Sequence, residues 1–288
     1  MSTIIGLVIV FGSVLGGFAM AHGPFPVLWQ PNELVVIGGA ALGALVISAP
    51  GKAMSRVKHA FGVGFKVSVP GKNDYLDLLK ALYQIFSVMR RDGVLALESH
   101  LAQPDQSSIF KNYTSLTSRH HALVFLVDAL KQLVDGCTPE ELAMLLDVDM
   151  ETLHEEEHQP ISLIRSTSDA LPGLGIVAAV LGIIITMGHL DGGPEVIGHH
   201  VGAALVGTFI GILLCYGMMG PIAQSIELQA SANGKYIQCI KDGVLAAARG
   251  AAPAIAVEFS RRCIFNDERP TFTELDAAIQ SLKSGGGS

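Results

Sequence analysis

The chain has 288 residues, 50% of them hydrophobic and only 16% charged, against roughly 25% charge in ordinary soluble domains. So little charge excludes a disordered chain, four cysteines in this length exclude a disulfide scaffold, and a net charge of −7 argues against a nucleic-acid partner. A membrane protein with a substantial polar portion remains, in keeping with a mean hydropathy of +0.45.

In chain order, the first apolar run covers residues 3–21. Ala19-Met20-Ala21 imitates a signal-peptidase site. However, Met1-Ser2-Thr3 supplies no positive region, and the run exceeds the about 7–15 residues of a secretory signal. It is therefore read as a retained helix. The second run, 34–49, is short for a span, but Gly38, Gly39 and Gly43 permit close packing. The third covers 171–188 and the fourth 201–222. None of the four contains Asp, Glu, Lys or Arg, and their lengths suit a hydrocarbon core that takes about 17–25 helical residues. Gly12/Gly16, Gly39/Gly43 and Gly207/Gly211 give the G-x-x-x-G spacing that lets helix backbones approach closely in lipid.

The segment between the second and third runs is too long for a simple connection. Tyr75 to Phe86 carries apolar residues at spacings of three and four, a helical period, and so does His121 to Val134, stopped by Gly136. Thr138-Pro139-Glu140-Glu141 reads as an N-cap, a first-turn proline and early acidic residues opening another helix. Residues 223–248 are again helical in pattern, and no strand-like alternation occurs. The expected fold is an all-α polytopic membrane protein with four transmembrane helices and a helical cytoplasmic domain. Residues 1–50 hold the first two spans, 51–170 a cytoplasmic loop, 171–222 the last two spans and 223–283 a cytoplasmic tail. Ser284-Gly285-Gly286-Gly287-Ser288 reads as an artificial linker.

Lys and Arg set the orientation. The loops 22–32 and 189–200 have none, whereas Lys52, Arg56, Lys58, Lys66 and Lys72 follow the second span, and Lys235, Lys241, Arg249, Arg261 and Arg262 follow the fourth. Both termini are then cytoplasmic. Cys137, Cys239 and Cys263 fall on the reducing side and Cys215 within the fourth span, and no C-x-x-C points to zinc or redox work.

His154-Glu155-Glu156-Glu157-His158 satisfies H-E-x-x-H, which in a metalloprotease places two imidazoles on one helix face with a glutamate as base. Gln159-Pro160-Ile161-Ser162 replaces any distal third ligand, the acidic run suits a solvated face, and Pro160 reads as a helix stop directly after the second histidine. His120-His121 and His199-His200 lack partners at ligand spacing and read as surface residues. No metal, cofactor or catalytic residue is expected. Polar groups in the spans are few: Ser13, Ser48, Thr186, Thr208, Cys215 and Tyr216. Proton and ion pathways need ionisable groups within the membrane, so a chain that moves ions must borrow its carboxylate from a partner; otherwise it only scaffolds. Pro172 opens the third span and Pro221 closes the fourth, as simple boundaries or as kinks that free a carbonyl.

At these residues the chain resembles the MotA/PomA family of flagellar-motor stator proteins. The likeness runs from the N-terminus to about residue 283. It rests on Gln30-Pro31-Asn32-Glu33-Leu34, on Leu171-Pro172-Gly173-Leu174-Gly175-Ile176-Val177-Ala178-Ala179-Val180, and on Val206-Gly207-Thr208-Phe209-Ile210-Gly211-Ile212-Leu213-Leu214. In the tail it rests on Ala256-Val257-Glu258-Phe259 and Glu268-Arg269-Pro270-Thr271-Phe272-Thr273-Glu274-Leu275. The resemblance implies a non-enzymatic stator subunit in the bacterial inner membrane, serving motility and chemotaxis. It implies a homopentamer around two copies of MotB, whose membrane helix supplies the ion-binding Asp, and a cytoplasmic loop that pushes the rotor protein FliG.

Carried over residue by residue, Arg90 and Glu98 match the family's torque-generating charges, with Arg91 and Asp92 beside them. Pro172 and Pro221 match the two prolines tied to coupling ion binding with movement, and Thr208 matches a polar position on the ion path. Sodium-driven members carry a Thr where this chain has Ala179, and so the resemblance favours the proton-driven branch over a sodium-driven stator of the PomA kind. A non-flagellar ExbB/TolQ-like channel subunit is the remaining alternative. It has three spans in a different order, whereas this chain has two on each side of its loop.

Overall fold

Every regular element among the described residues is helical. The computed structural model describes residues 2–65, 69–188 and 193–285. Lys66, the stretch 189–192 and the last linker residues, 286–288, lie outside the described residues. In chain order the helices are α1 (Ser2–Met20), α2 (Phe25–Leu28), α3 (Pro31–Ser48), α4 (Lys52–Phe65), α5 (Lys72–Asp92), α6 (Glu98–Ala102) and α7 (Thr114–Thr117). There follow α8 (His120–Val134), α9 (Pro139–Met187), α10 (Gly193–Leu214), a π-helical turn at Cys215–Met219, α11 (Gly220–Ala248), α12 (Pro253–Arg262) and α13 (Phe272–Gly285).

Four helical stretches are long and apolar enough to cross a membrane: Ser2–Met20, Phe25–Ser48, Pro139–Met187 and Gly193–Ala248. The last two far exceed the about 17–25 residues a crossing takes, so each continues past it. Several expected boundaries move as a result. The second span starts at Pro31 rather than residue 34, bringing Glu33 into its first turn. The fourth starts at Gly193, which puts His199 and His200 inside a helix rather than a loop. Pro160 lies inside α9 and does not stop it, and Pro172 lies inside the same helix rather than at its opening.

The chain divides into two compact units, one of residues 1–68 with 156–230 and the other of 69–155 with 231–288. In the first, α3 buries Glu33, Ile37, Ala41 and Leu45, a stripe at intervals of four. Ile37 and Ala41 pack with Leu171, Ala178 and Cys215. Leu45 packs with Val57 and Ala60 of α4, Ile161 and Ile164 of α9, and Ile222 and Ile226 of α11. Two ion pairs of 2.6 Å, Arg56–Glu156 and Arg165–Glu227, mark its polar surface. Helix α1 buries no residue and exposes Ile4, Ile5, Val8 and Ile9, an apolar face suited to lipid or another subunit.

The second unit has a larger core. Leu78, Leu79, Leu82, Ile85 and Phe86 of α5 meet Leu123, Leu126 and Leu130 of α8, with Tyr236, Ile240 and Val244 of α11, Val257 of α12 and Leu275 of α13. The expected helix ends are well built. Gly136 takes φ +91, a conformation natural to glycine, after α8. Thr138 caps α9 as expected, and its hydroxyl accepts from the Glu141 N–H while the Glu141 carboxylate accepts from the Thr138 N–H, a reciprocal box. Thr271 and Glu274 do the same for α13.

Candidate functional site

The residues singled out from sequence fall into two groups, one in each unit. Pro172, Ala179, Thr208 and Pro221 belong to the first, where the third and fourth spans touch backbone to backbone. A methyl added to Gly175 would lie 2.8 Å from the Gly207 carbonyl and 3.3 Å from the Thr208 Cα. One added to Gly211 would lie 2.6 Å from the Leu171 carbonyl and 3.0 Å from the Gly175 Cα. Only glycine fits such a contact. Of the three G-x-x-x-G pairs, Gly207/Gly211 alone makes this approach within the described chain; Gly12, Gly16, Gly39 and Gly43 face open space.

The two prolines sit on linked helix defects. Pro172 has no N–H to give the carbonyl one turn earlier, that of Ser168. The Ser168 hydroxyl, buried, donates instead to the Cys215 carbonyl at 3.3 Å. Cys215 opens the π turn that precedes Pro221, and the same carbonyl accepts from the Gly220 N–H. The wide turn accommodates a ring that would otherwise collide with the Gly217 carbonyl. One side-chain hydrogen bond thus joins the irregular turn of the fourth span to the proline-weakened turn of the third. Pro172, Ala179 and Thr208 are half-buried and Pro221 is exposed. Thr208 makes no hydrogen bond among the described residues, whereas Thr186 donates to the Gly182 carbonyl at 2.8 Å.

Glu33 is the residue that sequence reasoning missed. It is 9% exposed, and its Oε2 has no hydrogen-bond partner among the described residues. Its carboxylate lies between the third and fourth spans: a methyl on Gly182 would stand 3.4 Å from Oε1, and one on Gly207 would stand 2.7 Å from Oε2. The Gly207 position is also 3.2 Å from the Ala179 nitrogen. A buried carboxylate without a partner is costly, so this arrangement calls for a proton, a cation or a donor from another chain. Gln30-Pro31 carried the signal, because proline is favoured in a helix's first turn and so draws Glu33 into the span.

Arg90 and Glu98 belong to the second unit. Arg90 lies in the last turn of α5 and Glu98 begins α6, the two helices being joined by Gly93 at φ +85 and a 3-10 turn, Val94–Leu97. A cation at a helix C-terminus and an anion at an N-terminus both agree with the helix dipole. Arg91 and Asp92 neutralise each other at 2.8 Å, and that hydrogen bond holds the Asp92 carboxyl below the usual range. Arg90 and Glu98 are exposed and have no ion-pair partner among the described residues. Leu95, in the turn that joins them, is 70% exposed, and a groove of about 230 Å³ beside Glu98 is lined by Leu101, Ala102, Lys131, Val134 and Asp135. The surface offers separated opposite charges and an apolar anchor.

The His154–His158 motif gathers no metal site: among the described residues no three His, Cys, Asp or Glu side chains are grouped to hold an ion. The helix also continues through Pro160, since Pro160, Ile161 and Ile164 are buried and their packing outweighs one lost backbone hydrogen bond. All four cysteines are free.

Comparison with known proteins gives a consistent picture. The chain matches the model "Motility protein A N-terminal" over residues 4–93 and "MotA/TolQ/ExbB proton channel family" over residues 118–237. It is 35% identical over 285 residues to motility protein A of Salmonella typhimurium, covering 99% of this chain and 97% of that one. It is 34% identical over 277 residues to chemotaxis protein LafT of Vibrio parahaemolyticus, with 96% and 97% covered. Among solved structures it is similar to C. jejuni MotAB, with TM-score 0.78, 23% identity, and 94% of this chain and 98% of that one covered. It is also similar to the flagellar MotAB stator complex from Bacillus subtilis, with TM-score 0.73, 24% identity, and 89% and 92% covered. The two structures share its fold.

Proposed function

The chain belongs to the motility protein A family, a branch of the MotA/TolQ/ExbB proton channels rather than of any enzyme family, and on that premise we propose that it is a stator subunit of the bacterial flagellar motor. The observation that carries the reading is the pair of exposed, unneutralised charges Arg90 and Glu98, one in the last turn of α5 and the other at the start of α6, both in the second unit. Exposed charges left free in this way steer and engage a partner of complementary charge, here the rotor protein FliG. Lys and Arg following the second and fourth spans support an inner-membrane orientation with both termini cytoplasmic. Residues 51–170 and 223–283 then face the rotor.

The ion path combines this chain's third and fourth spans with a MotB-type helix that brings an Asp, in a pentamer around a MotB pair. The apolar, unburied face of α1 suits lipid and neighbouring subunits. Thr208 and Glu33 supply polar groups beside the path, and the Ser168–Cys215 link lets a shift at Pro172 be felt at Pro221. Ala179 leaves no hydroxyl to replace sodium hydration, which favours protons. One charge crossing 100 mV releases about 2.3 kcal/mol, ample for repeated small steps.

The test is swimming of a stator-deleted cell that expresses this chain with its cognate MotB-type partner, varying proton and sodium gradients separately. Motility following the proton gradient alone is expected. A sodium requirement would overturn the Ala179 argument, and failure to swim despite an assembled complex would favour a non-flagellar ExbB/TolQ-like channel. Arg90→Glu is expected to lower torque while leaving assembly and ion flow intact; normal swimming with Arg90→Glu and Glu98→Lys combined would refute the rotor role.

A further inference from the structure

Two cysteines 24 residues apart meet in the second unit, with the Cys263 Sγ 2.9 Å from the Cys239 Sγ. Cys239 lies within α11 and is fully buried, whereas Cys263 caps the C-terminus of α12 and is partly exposed. A disulfide needs sulfurs about 2.05 Å apart, so a small side-chain rotation brings the two to bonding distance. The surroundings oppose other uses of the pair. The Asp242 carboxyl reaches Cys263, but no three ligating groups are placed to hold a metal ion among the described residues. The sulfur contact and burial push the Cys239 thiol well above its ordinary range, which keeps it protonated until a partner sulfur is activated. Nothing in local sequence spacing reveals the pair, since it forms through the packing of α11 on α12.

We propose that Cys239 and Cys263 are a redox modification site that closes to an intramolecular disulfide when the chain meets a low-molecular-weight disulfide such as oxidised glutathione. The accessible Cys263 loses its proton to water, its sulfur attacks the small disulfide, and one glutathione thiolate leaves. The Cys239 sulfur then attacks the Cys263 Sγ, releasing its proton and the second glutathione thiolate. Two protein thiols are oxidised and one small disulfide is reduced to two thiols. The bond fastens the end of α12 to α11, and because α12 packs on α5, it braces the helix whose last turn carries Arg90.

The experiment uses the full chain assembled with its MotB-type partner in membranes, treated with oxidised glutathione, then denatured and titrated with a maleimide–polyethylene glycol. Two of the four thiols are expected to disappear and to return on reduction, with a mass loss of two hydrogens. The loss is expected to persist in a Cys137→Ser/Cys215→Ser variant and to vanish in Cys263→Ser. Peptide mapping of unreduced wild-type chain for a Cys239–Cys263 crosslink gives the answer independently of how any variant folds. Four thiols still free, a glutathione adduct retained on Cys263, or a disulfide between two copies would overturn the proposal.

Discussion

Gly211→Ala tests the span packing most directly. The added methyl would lie 2.6 Å from the Leu171 carbonyl, 3.0 Å from the Gly175 Cα and 3.2 Å from the Gly175 nitrogen. All three are backbone atoms that cannot rotate away. Reaching an ordinary 3.4 Å contact means parting the third and fourth spans locally by about 0.8 Å, the difference between 3.4 and 2.6 Å. Overpacking of this kind costs about 1–3 kcal/mol, and a backbone clash belongs at the upper end. The gain in helix propensity from Gly to Ala offsets up to about 1 kcal/mol. The net loss is about 2 kcal/mol, roughly 30-fold in an equilibrium constant. Gly12→Ala is the matched control: it adds the same methyl in a span but into open space, and is expected to be neutral. The assay is the fraction of partner-bound complex surviving a graded heat step, with swimming speed as the functional companion. Wild-type survival and swimming for Gly211→Ala would refute the packing; damage from Gly12→Ala would instead place the glycine face of α1 against a second chain.

Three further outcomes follow from particular residues. Glu33→Gln keeps the shape of a buried, unpartnered group and removes its charge, so membrane levels of the chain are expected to hold or rise while swimming slows; unchanged swimming would remove Glu33 from the ion path. Leu126, 0% exposed in the core beneath α5, is expected to cost about 2–5 kcal/mol on truncation to Ala, seen as earlier protease cleavage of the second unit. Glu274 is held down to about 2 from an ordinary 4.5, first by the Lys72 hydrogen bond and then by those from Thr271. A depressed carboxyl stabilises above its unfolded value and loses that contribution as pH falls through the folded one. The protection of α13 amides, corrected for the intrinsic pH dependence of exchange, should therefore hold down to near 4.5 and fall progressively between about 4.5 and about 2, with Glu274→Gln abolishing the fall.

How much of this was legible in sequence depended on whether the deciding interaction was local. Helices α5 and α8 were announced by their own periodicity because one face of each is core. The α9 cap needed only Thr138 and Glu141, three residues apart, and Arg90 and Glu98 came from likeness to a family, their free state from the structure alone. The misreadings cluster in the first unit. By local rules Pro160 stops a helix and Pro172 opens one, since each removes a backbone hydrogen bond, yet α9 runs through both because Ile161, Ile164 and Leu171 are buried and that burial is invisible from the proline outward. The apolar run begins at Leu34 and so hides Glu33, whereas the helix begins at Pro31. Local rules and tertiary structure part company where a sequence has been shaped for something besides stability. A carboxylate without a partner, a helix carried across a proline and a π turn before another all destabilise the chain that holds them. That all three meet around the third and fourth spans is the strongest physical reason to look for the moving part there.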